Sequence, residues 1–99
     1  MSKTLTIVAR IEANKENIDV IKSEALKLVE PTLAEEGCIQ YVLHQDNENL
    51  EVFIFIEKWK NHELWQKHMD SHHLQTFIKH TEGLLVDLKI SQMSCVCDI

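Results

Sequence analysis

Hydrophobic and polar side chains alternate in the first segment of the chain, from Lys3 to Ala13. The apolar set on one side of this segment is Leu5, Ile7, Ala9 and Ile11. A period of two places alternate side chains on one face of an extended backbone. The segment is therefore predicted to be a half-buried β-strand.

Apolar positions in the next segment recur at helical spacing. They are Ile18, Ile21, Ala25, Leu28 and Val29. Asn14 is the expected N-cap of this helix, because an asparagine side chain can accept a hydrogen bond from a free N–H group of the first turn. Pro31 is expected to kink or break the helix, and Gly37 to provide its C-terminal stop.

A β-hairpin is predicted after Gly37. Ile39, Tyr41 and Leu43 alternate with Gln40, Val42 and His44, and residues 46–49 supply turn-forming side chains. The second arm, residues 52–56, is apolar at consecutive positions. Such a run is typical of a strand that is covered on both faces.

A helical pattern returns after Trp59, with Asn61 and Ser71 as the expected N-caps of two short helices. The inner faces of these helices are expected to carry Leu64, Trp65, His68, Met69, Leu74, Phe77, Ile78 and Thr81. Gly83 is expected to end the second helix, and residues 84–91 alternate as a last strand.

The element order β-α-β-β-α-β predicts an α+β fold of the ferredoxin-like class, in which helices cover one face of the sheet. We expect a single domain over residues 1–99. One helical layer would leave the other sheet face bare, although residues 52–56 require cover on both sides. Packing of two copies, sheet against sheet, would provide that cover, so the sequence predicts a homodimer.

Composition and charge narrow the possible partners. The chain has 99 residues and a net charge of −6, and its ten Lys and Arg residues form no cluster. Binding to nucleic acid or to an anionic membrane is therefore not expected. The N-terminal apolar stretch is too short for a signal peptide or a membrane span. Three cysteines without scaffold spacing fit a reducing cytoplasm, where Cys95 and Cys97 are expected to be tail thiols.

The segment KHMDSHHLQTF, residues 67–77, concentrates three of the six histidines. His68 and His72 have the spacing of a two-histidine metal site, but Ser71 is expected to break the helix between them, so we predict no metal site. His72 is expected to be solvated. His68 or His73 could instead act as a base in an apolar pocket near neutral pH. From spacing alone, catalysis and a structural role are equally supported.

The chain resembles the antibiotic biosynthesis monooxygenase family of small dimeric proteins. The resemblance rests on Glu36-Gly37-Cys38 before the second strand, Glu57-Lys58-Trp59 at the end of the third, and His68, Ser71 and His73 in the helical hairpin. In the family pattern one residue separates the acid from the glycine, and none separates Glu36 from Gly37. The resemblance implies a dimeric α/β barrel and includes cofactor-independent quinol monooxygenases.

The resemblance and the residues together give the functional expectation. We predict a cofactor-independent monooxygenase that uses dioxygen and a small quinol or phenolic aromatic, with His68 as general base and His73 as a second catalytic group. The expected substrate-binding residues are Tyr41, His44, Trp59, Trp65 and Phe77. The alternatives are an isomerase or tautomerase of a small hydroxyketone and a non-catalytic ligand-binding dimer. A haem-degrading role fits less well, because such relatives carry a tryptophan near the position of His68.

Overall fold

The strands and helices follow one another in the predicted order. The computed structural model describes residues 4–97, so Lys3, the first residue of the predicted first strand, lies outside the described residues. The elements are β1 (Leu5–Ala13), α1 (Ile18–Leu33), β2 (Cys38–Gln45), β3 (Val52–Trp59), α2 (His62–Met69), α3 (His72–His80) and β4 (Leu85–Met93).

The four strands form one antiparallel sheet in the order β2-β3-β1-β4. The two central strands, β3 and β1, are joined through α1 and β2, and the helical hairpin of α2 and α3 connects β3 to the edge strand β4. This is the ferredoxin-like α+β arrangement, and the predicted fold class is confirmed.

The strand register divides the sheet into two faces. Ile7 lies opposite Glu57, and Ala9 lies opposite Phe55 on β3 and Ile90 on β4. Ile7, Ala9 and Phe55 pack with residues of all three helices in the buried core, so this is the helical face. The alternate positions form the other face, which we call the open face. Its apolar members are Val8, Val42, Ile54 and Ile56.

Helix α1 differs from the expectation at both of its ends. The chain turns after Asn14, and the helix begins at Ile18 with Asn17 as N-cap, so the prediction of Asn14 was wrong. The helix also continues through Pro31 to Leu33 rather than breaking. Proline removes one backbone donor, and the helix ends within the next turn, so only a small part of its hydrogen bonding is lost.

The two short helices begin where the sequence placed their caps. The Asn61 side chain accepts a hydrogen bond from Leu64 N at 2.9 Å, and the Ser71 hydroxyl accepts one from Leu74 N at 3.3 Å. Ser71 therefore separates α2 from α3, as predicted. Among residues 4–97, no helix has both the length and the apolar character needed to cross a membrane.

Candidate functional site

The break between α2 and α3 sets the positions of the histidines. His68 lies in the last turn of α2, and His72 and His73 lie in the first turn of α3. His68 is only 2 % exposed, whereas His72 faces solvent. The two helices therefore turn His68 and His73 inward and His72 outward, and the His68–His72 pair does not form a shared face.

Glu35 joins His68 and His73. The Nδ1 atom of His68 lies 2.6 Å from Oε2 of Glu35, and Nε2 of His73 lies 2.8 Å from the same oxygen. Both distances are those of charge-assisted hydrogen bonds, in which each ring N–H donates to the carboxylate. We call these three residues the His-Glu-His cluster. Its outer member, His73, is 24 % exposed, so the cluster runs from the protein interior to the surface.

Aromatic rings hold His68 in place. The ring centroids of Trp59 and His68 are 4.8 Å apart. The ring centroids of Tyr41 and His68 are 5.5 Å apart, and these two rings meet edge-on. Because Nδ1 donates to Glu35, the tautomer with an unprotonated Nε2 is favoured. Among residues 4–97, Nε2 has no hydrogen-bond partner, so it is the nitrogen left to accept a proton.

Burial also controls the protonation of His68. It lowers the pKa of the imidazole below its ordinary value, and the hydrogen bond to Glu35 opposes this effect without reversing it. The imidazole is therefore neutral near pH 7. A neutral imidazole with a free Nε2 is the form that a general base requires.

An apolar cavity of about 80 Å³ lies between the helices and the helical face of the sheet, and His68 is part of its wall. The other lining residues come from all four strands and all three helices: Ile7, Ala9, Ile11, Leu28, Tyr41, Phe55, Glu57, Trp65, Met69, Leu74, Phe77, Ile78, Leu88 and Ile90. Ile78 and Leu88 are each 47 % exposed, so the cavity opens between α3 and β4.

The size of the cavity limits how far a ligand can enter. An apolar cavity of about 150 Å³ holds benzene in another protein, so about 80 Å³ admits a single ring only if the walls adjust or the ring extends towards the opening. The opening between Ile78 and Leu88 provides this extension. The site therefore suits a small aromatic molecule with one end inside and the other near the surface.

Glu57 is a second ionisable group in the cavity wall. It is 3 % exposed, and its Oε1 accepts a 2.9 Å hydrogen bond from Nε1 of Trp59. Burial raises the pKa of this carboxyl to about 7; the Trp59 hydrogen bond lowers it in part, and the charge of Glu35 adds to the increase. Near neutral pH, Glu57 can therefore both give and accept a proton.

The structure brings most of the predicted residues to this region. Tyr41, Trp65 and Phe77 line the cavity beside His68. Trp59 is fully buried and packs behind His68 rather than lining the cavity. His44 lies opposite Ile54 on the open face, so within one chain it is separated from the cavity by the sheet.

Two acidic residues of the site were missing from the sequence prediction. Glu57 was recognised as part of a motif but given no role. Glu35 was overlooked because the acid of the family pattern was assigned to Glu36, which is exposed. Glu35-Glu36-Gly37-Cys38 satisfies the spacing of one residue between the acid and the glycine, and this spacing could have identified Glu35.

The His-Glu-His cluster also contains ligand types that a transition metal accepts. The three residues each offer one ligand atom, and these atoms lie within 4.8 Å of one another. A set of two imidazoles and one carboxylate can bind several transition metals. An ion would have to displace the ring protons that both histidines share with Glu35. The separations of 2.6 and 2.8 Å are hydrogen-bond lengths, and we interpret the cluster as an acid–base group.

Comparison with known proteins agrees with the fold and identifies the family. The family model for antibiotic biosynthesis monooxygenase matches residues 4–80. The Bacillus subtilis protein named "Putative monooxygenase YcnE" is 32 % identical over 81 residues, which cover 82 % of this chain and 85 % of that protein.

Two solved structures extend the similarity to nearly the whole chain. PA3566 from Pseudomonas aeruginosa is 35 % identical, with a TM-score of 0.93 and 98 % of each chain covered. A conserved protein from Methanosarcina mazei is 27 % identical, with a TM-score of 0.85 and coverage of 93 % of this chain and 92 % of that one. The chain belongs to the antibiotic biosynthesis monooxygenase family.

Proposed function

We propose that the protein is a cofactor-independent monooxygenase that acts on a quinol or phenolic aromatic, with dioxygen as co-substrate and His68 as general base. The observation that supports this most directly is the position of His68, whose free Nε2 belongs to a buried side chain in the wall of an apolar cavity. A buried neutral imidazole can take a proton from a bound hydroxyl.

The reaction begins with transfer of a hydroxyl proton from the substrate to Nε2 of His68. Glu35 stabilises the resulting imidazolium, because its carboxylate already accepts the Nδ1 hydrogen bond. The substrate anion is electron-rich and passes one electron to dioxygen, and recombination of the two radicals at a ring carbon, followed by protonation, forms a hydroperoxide. Loss of the hydrogen on that carbon and cleavage of the O–O bond release water and leave a quinone carbonyl, so the ring itself supplies the two electrons that reduce the second oxygen atom. His73, at the outer end of the cluster, is in position to exchange the proton with solvent through Glu35.

Side chains around the cavity have different roles in this scheme. Trp65 and Phe77 bind the flat faces of the aromatic ring. Tyr41 and Trp59 hold the imidazole of His68 in its orientation through their ring–ring contacts with it. His44 has no role in the chemistry of its own chain, because it lies across the sheet.

The proposed active form is a homodimer that pairs the open faces of two sheets. On this face Val42 is 41 % exposed, and Val8, Ile54 and Ile56 are partly exposed. A contiguous apolar patch on a sheet is the kind of surface that an isologous dimer buries. Arg10 lies on the same face, at the polar margin of the patch. Its Nη1 atom is 3.4 Å from Oε1 of Glu12 and 3.8 Å from Oδ2 of Asp87.

Proton transfer without oxygen is the second candidate function. His68 and Glu57 both line the cavity, and two proton-transfer groups around one ligand are what an isomerase or tautomerase of a hydroxyketone needs. A dimer that binds an aromatic molecule without chemistry is the third. Each of the three would show a different dependence on oxygen and on His68.

A screen of quinols, phenols and hydroxyketones under air and under nitrogen, with a metal chelator present, separates these functions. Oxygen uptake with a product that has gained one oxygen atom from dioxygen and lost two hydrogen atoms supports the monooxygenase, and equal turnover under nitrogen supports the isomerase. Ligand binding without turnover in either gas leaves only the binding protein. The matched variant is His68→Gln, because glutamine is similar in size and can still hydrogen-bond to Glu35.

A further inference from the structure

A groove of about 230 Å³ lies on the surface between α1 and α3. The buried side chains of Leu28 and Phe77 form its floor, and the same two residues line the cavity, so they separate the two spaces. The side chains around the groove are polar or charged: Glu24, Lys27, His72, His73, Thr76 and His80. Three of the six histidines and a lysine therefore meet in one place on a chain with a net charge of −6.

We infer that this groove is a second ligand site, which binds a small organic anion through Lys27 and the three histidines. Four basic side chains surround the groove, and Glu24 is the one acid among the described residues that line it. An excess of basic groups favours an anionic ligand. The groove is larger than a single phosphate or carboxylate group, and its apolar floor favours a hydrocarbon part. The ligand class is therefore a carboxylate with an aliphatic or alicyclic body.

Glu24 holds two of the basic groups at the groove and leaves them donors for a ligand. Its Oε1 lies 3.1 Å from Nδ1 of His80, and its Oε2 accepts a 2.9 Å hydrogen bond from Nζ of Lys27. An ammonium has three N–H donors and a protonated imidazole has two, so each group keeps at least one. The side chains of Lys27 and His80 are 67 % and 53 % exposed, so these donors are accessible from solvent.

The cavity beneath the helices is a poor alternative site for such an anion. Within residues 4–97, no lysine or arginine lines the cavity, and Glu57 is part of its wall. A carboxylate there would lose its hydration next to an acidic group without a compensating cation, which is unfavourable. The groove and the cavity are therefore expected to select ligands of different charge.

Anion binding should strengthen as the pH falls from 8 to 6, because imidazoles take up protons in this range. The charged and titratable groups that face the three histidines are Glu24 and Lys27 on α1, Glu35 in the turn after it, and His68 on α2. With neutral imidazoles, the charges of Lys27 and Glu24 cancel within the groove. Protonation of the histidines gives the groove a net positive charge.

His73 connects the groove to the His-Glu-His cluster. Its Nε2 donates to Glu35, its ring also lines the groove, and its ring centroid is 5.9 Å from that of His68. An anion in the groove stabilises the imidazolium form of His73. A cation at this position disfavours a second proton on His68, so a bound anion should lower the rate of proton transfer; this consequence rests on the proposed function.

An NMR titration of the full chain with cyclohexanecarboxylate tests the site without turnover, and the neutral cyclohexanecarboxamide is the matched ligand. At pH 6 we expect the carboxylate to bind with a dissociation constant of about 1 mM and to shift the backbone amide signals of Lys27, Thr76 and His80. The amide at pH 6, and the carboxylate at pH 8, should each bind about tenfold more weakly. Inorganic phosphate should also bind more weakly than the carboxylate, because it cannot cover the apolar floor.

Two variants of the groove should change the affinity in opposite directions. Lys27→Gln removes a positive charge and should weaken carboxylate binding by about three- to fivefold, whereas Glu24→Gln removes the opposing negative charge and should strengthen it by a similar factor. Lys22→Gln is the control, because Lys22 is an exposed lysine of α1 outside the groove, and its affinity should equal that of the wild type.

The site would be overturned by equal binding of the carboxylate and the amide at pH 6, by shifts confined to residues of the cavity, or by weaker binding in Glu24→Gln. Phosphate that binds as tightly as the carboxylate would overturn the assignment to an organic anion. In an assay that shows oxygen uptake, the saturating carboxylate should lower kcat by about twofold or more, and an unchanged kcat would overturn the link through His73. Absence of oxygen uptake would overturn the monooxygenase proposal and leave the anion site in place.

Discussion

His68 donates a 2.6 Å hydrogen bond from Nδ1 to Oε2 of Glu35, which lies 33 residues earlier in the chain. The contact connects the end of α2 to the turn that follows α1. It fixes the ring of a side chain that is almost wholly buried, and it leaves the other ring nitrogen free. Orientation of a histidine base by a carboxylate is the arrangement used in hydrolytic triads.

Replacement of Glu35 by glutamine should weaken catalysis more than binding. Glutamine keeps the size of the side chain but removes the charge that stabilises the protonated imidazole. We expect kcat for the proposed oxygenation to fall by about 10- to 100-fold with little change in KM, as for other residues that orient a reacting group. Steady-state oxygen uptake would measure this.

Glu36→Gln is the control for the Glu35 variant, because it removes a neighbouring but exposed charge. Its activity should match that of the wild-type protein. Equal losses of kcat in both variants would indicate a general charge effect. An unchanged kcat in Glu35→Gln would contradict the proposed role of Glu35 in stabilising the protonated imidazole.

The turn at Gly37 should be sensitive to any side chain. Gly37 has a φ of 87°, and an added Cβ would lie 2.7 Å from Cβ of Leu64 on α2. Gly37→Ala should therefore reduce the free energy of unfolding by about 2–4 kcal/mol through backbone strain and overpacking. Gly83→Ala is the matched control, because Gly83 has a similar φ of 81° but open space around it, and only about 1 kcal/mol is expected. Urea denaturation of both variants would distinguish the two effects, and equal losses would contradict the packing argument.

Stability should depend on pH through Glu57. Its pKa is raised from 4.5 to about 7, so the folded state holds this proton more tightly than the unfolded state does. The contribution is fully present below pH 4.5 and is lost as the pH rises through 7. Between pH 5 and pH 8 the wild-type protein should lose about 2–3 kcal/mol of unfolding free energy relative to Glu57→Gln. Urea denaturation at the two pH values measures this difference, and parallel changes in both proteins would contradict it.

Disruption of the open face should change the oligomeric state. Val42→Lys places a charge in the apolar patch, beside Ile56, where it would be buried by a partner sheet but is accessible in a single chain. We expect light scattering to give twice the chain mass for the wild-type protein and one chain mass for Val42→Lys. Val20→Lys, on an exposed position of α1, is the control and should remain a dimer. A monomeric wild-type protein would contradict the proposed interface.

Local signals in the sequence were sufficient for the fold. The caps Asn61 and Ser71 and the alternation in β1 depend on neighbouring residues, and each of these predictions agrees with the structure. The start of α1 was placed too early, because Asn14 and Asn17 are equally suitable as caps and only the turn between them decides which one is used.

The site was harder to derive, because its acidic groups depend on contacts between distant residues. Glu35 and His68 are brought together by packing of α1 and α2 over the sheet, which no local pattern encodes. The ionisation of Glu57 depends on burial beneath the helices, and in the sequence it is simply a charged residue near the end of a strand. His44 was assigned to the site from its residue type, although its place in the β2 alternation already put it on the face opposite Tyr41.

The most direct measurement is the initial rate of oxygen uptake by wild-type protein and by His68→Gln with the same dihydroxy aromatic, in the presence of chelator and with binding checked under nitrogen. If His68 takes the proton from the bound hydroxyl, the variant should bind the aromatic as tightly as the wild type and react at least about 100-fold more slowly. Equal rates of oxygen uptake by the two proteins would contradict the account.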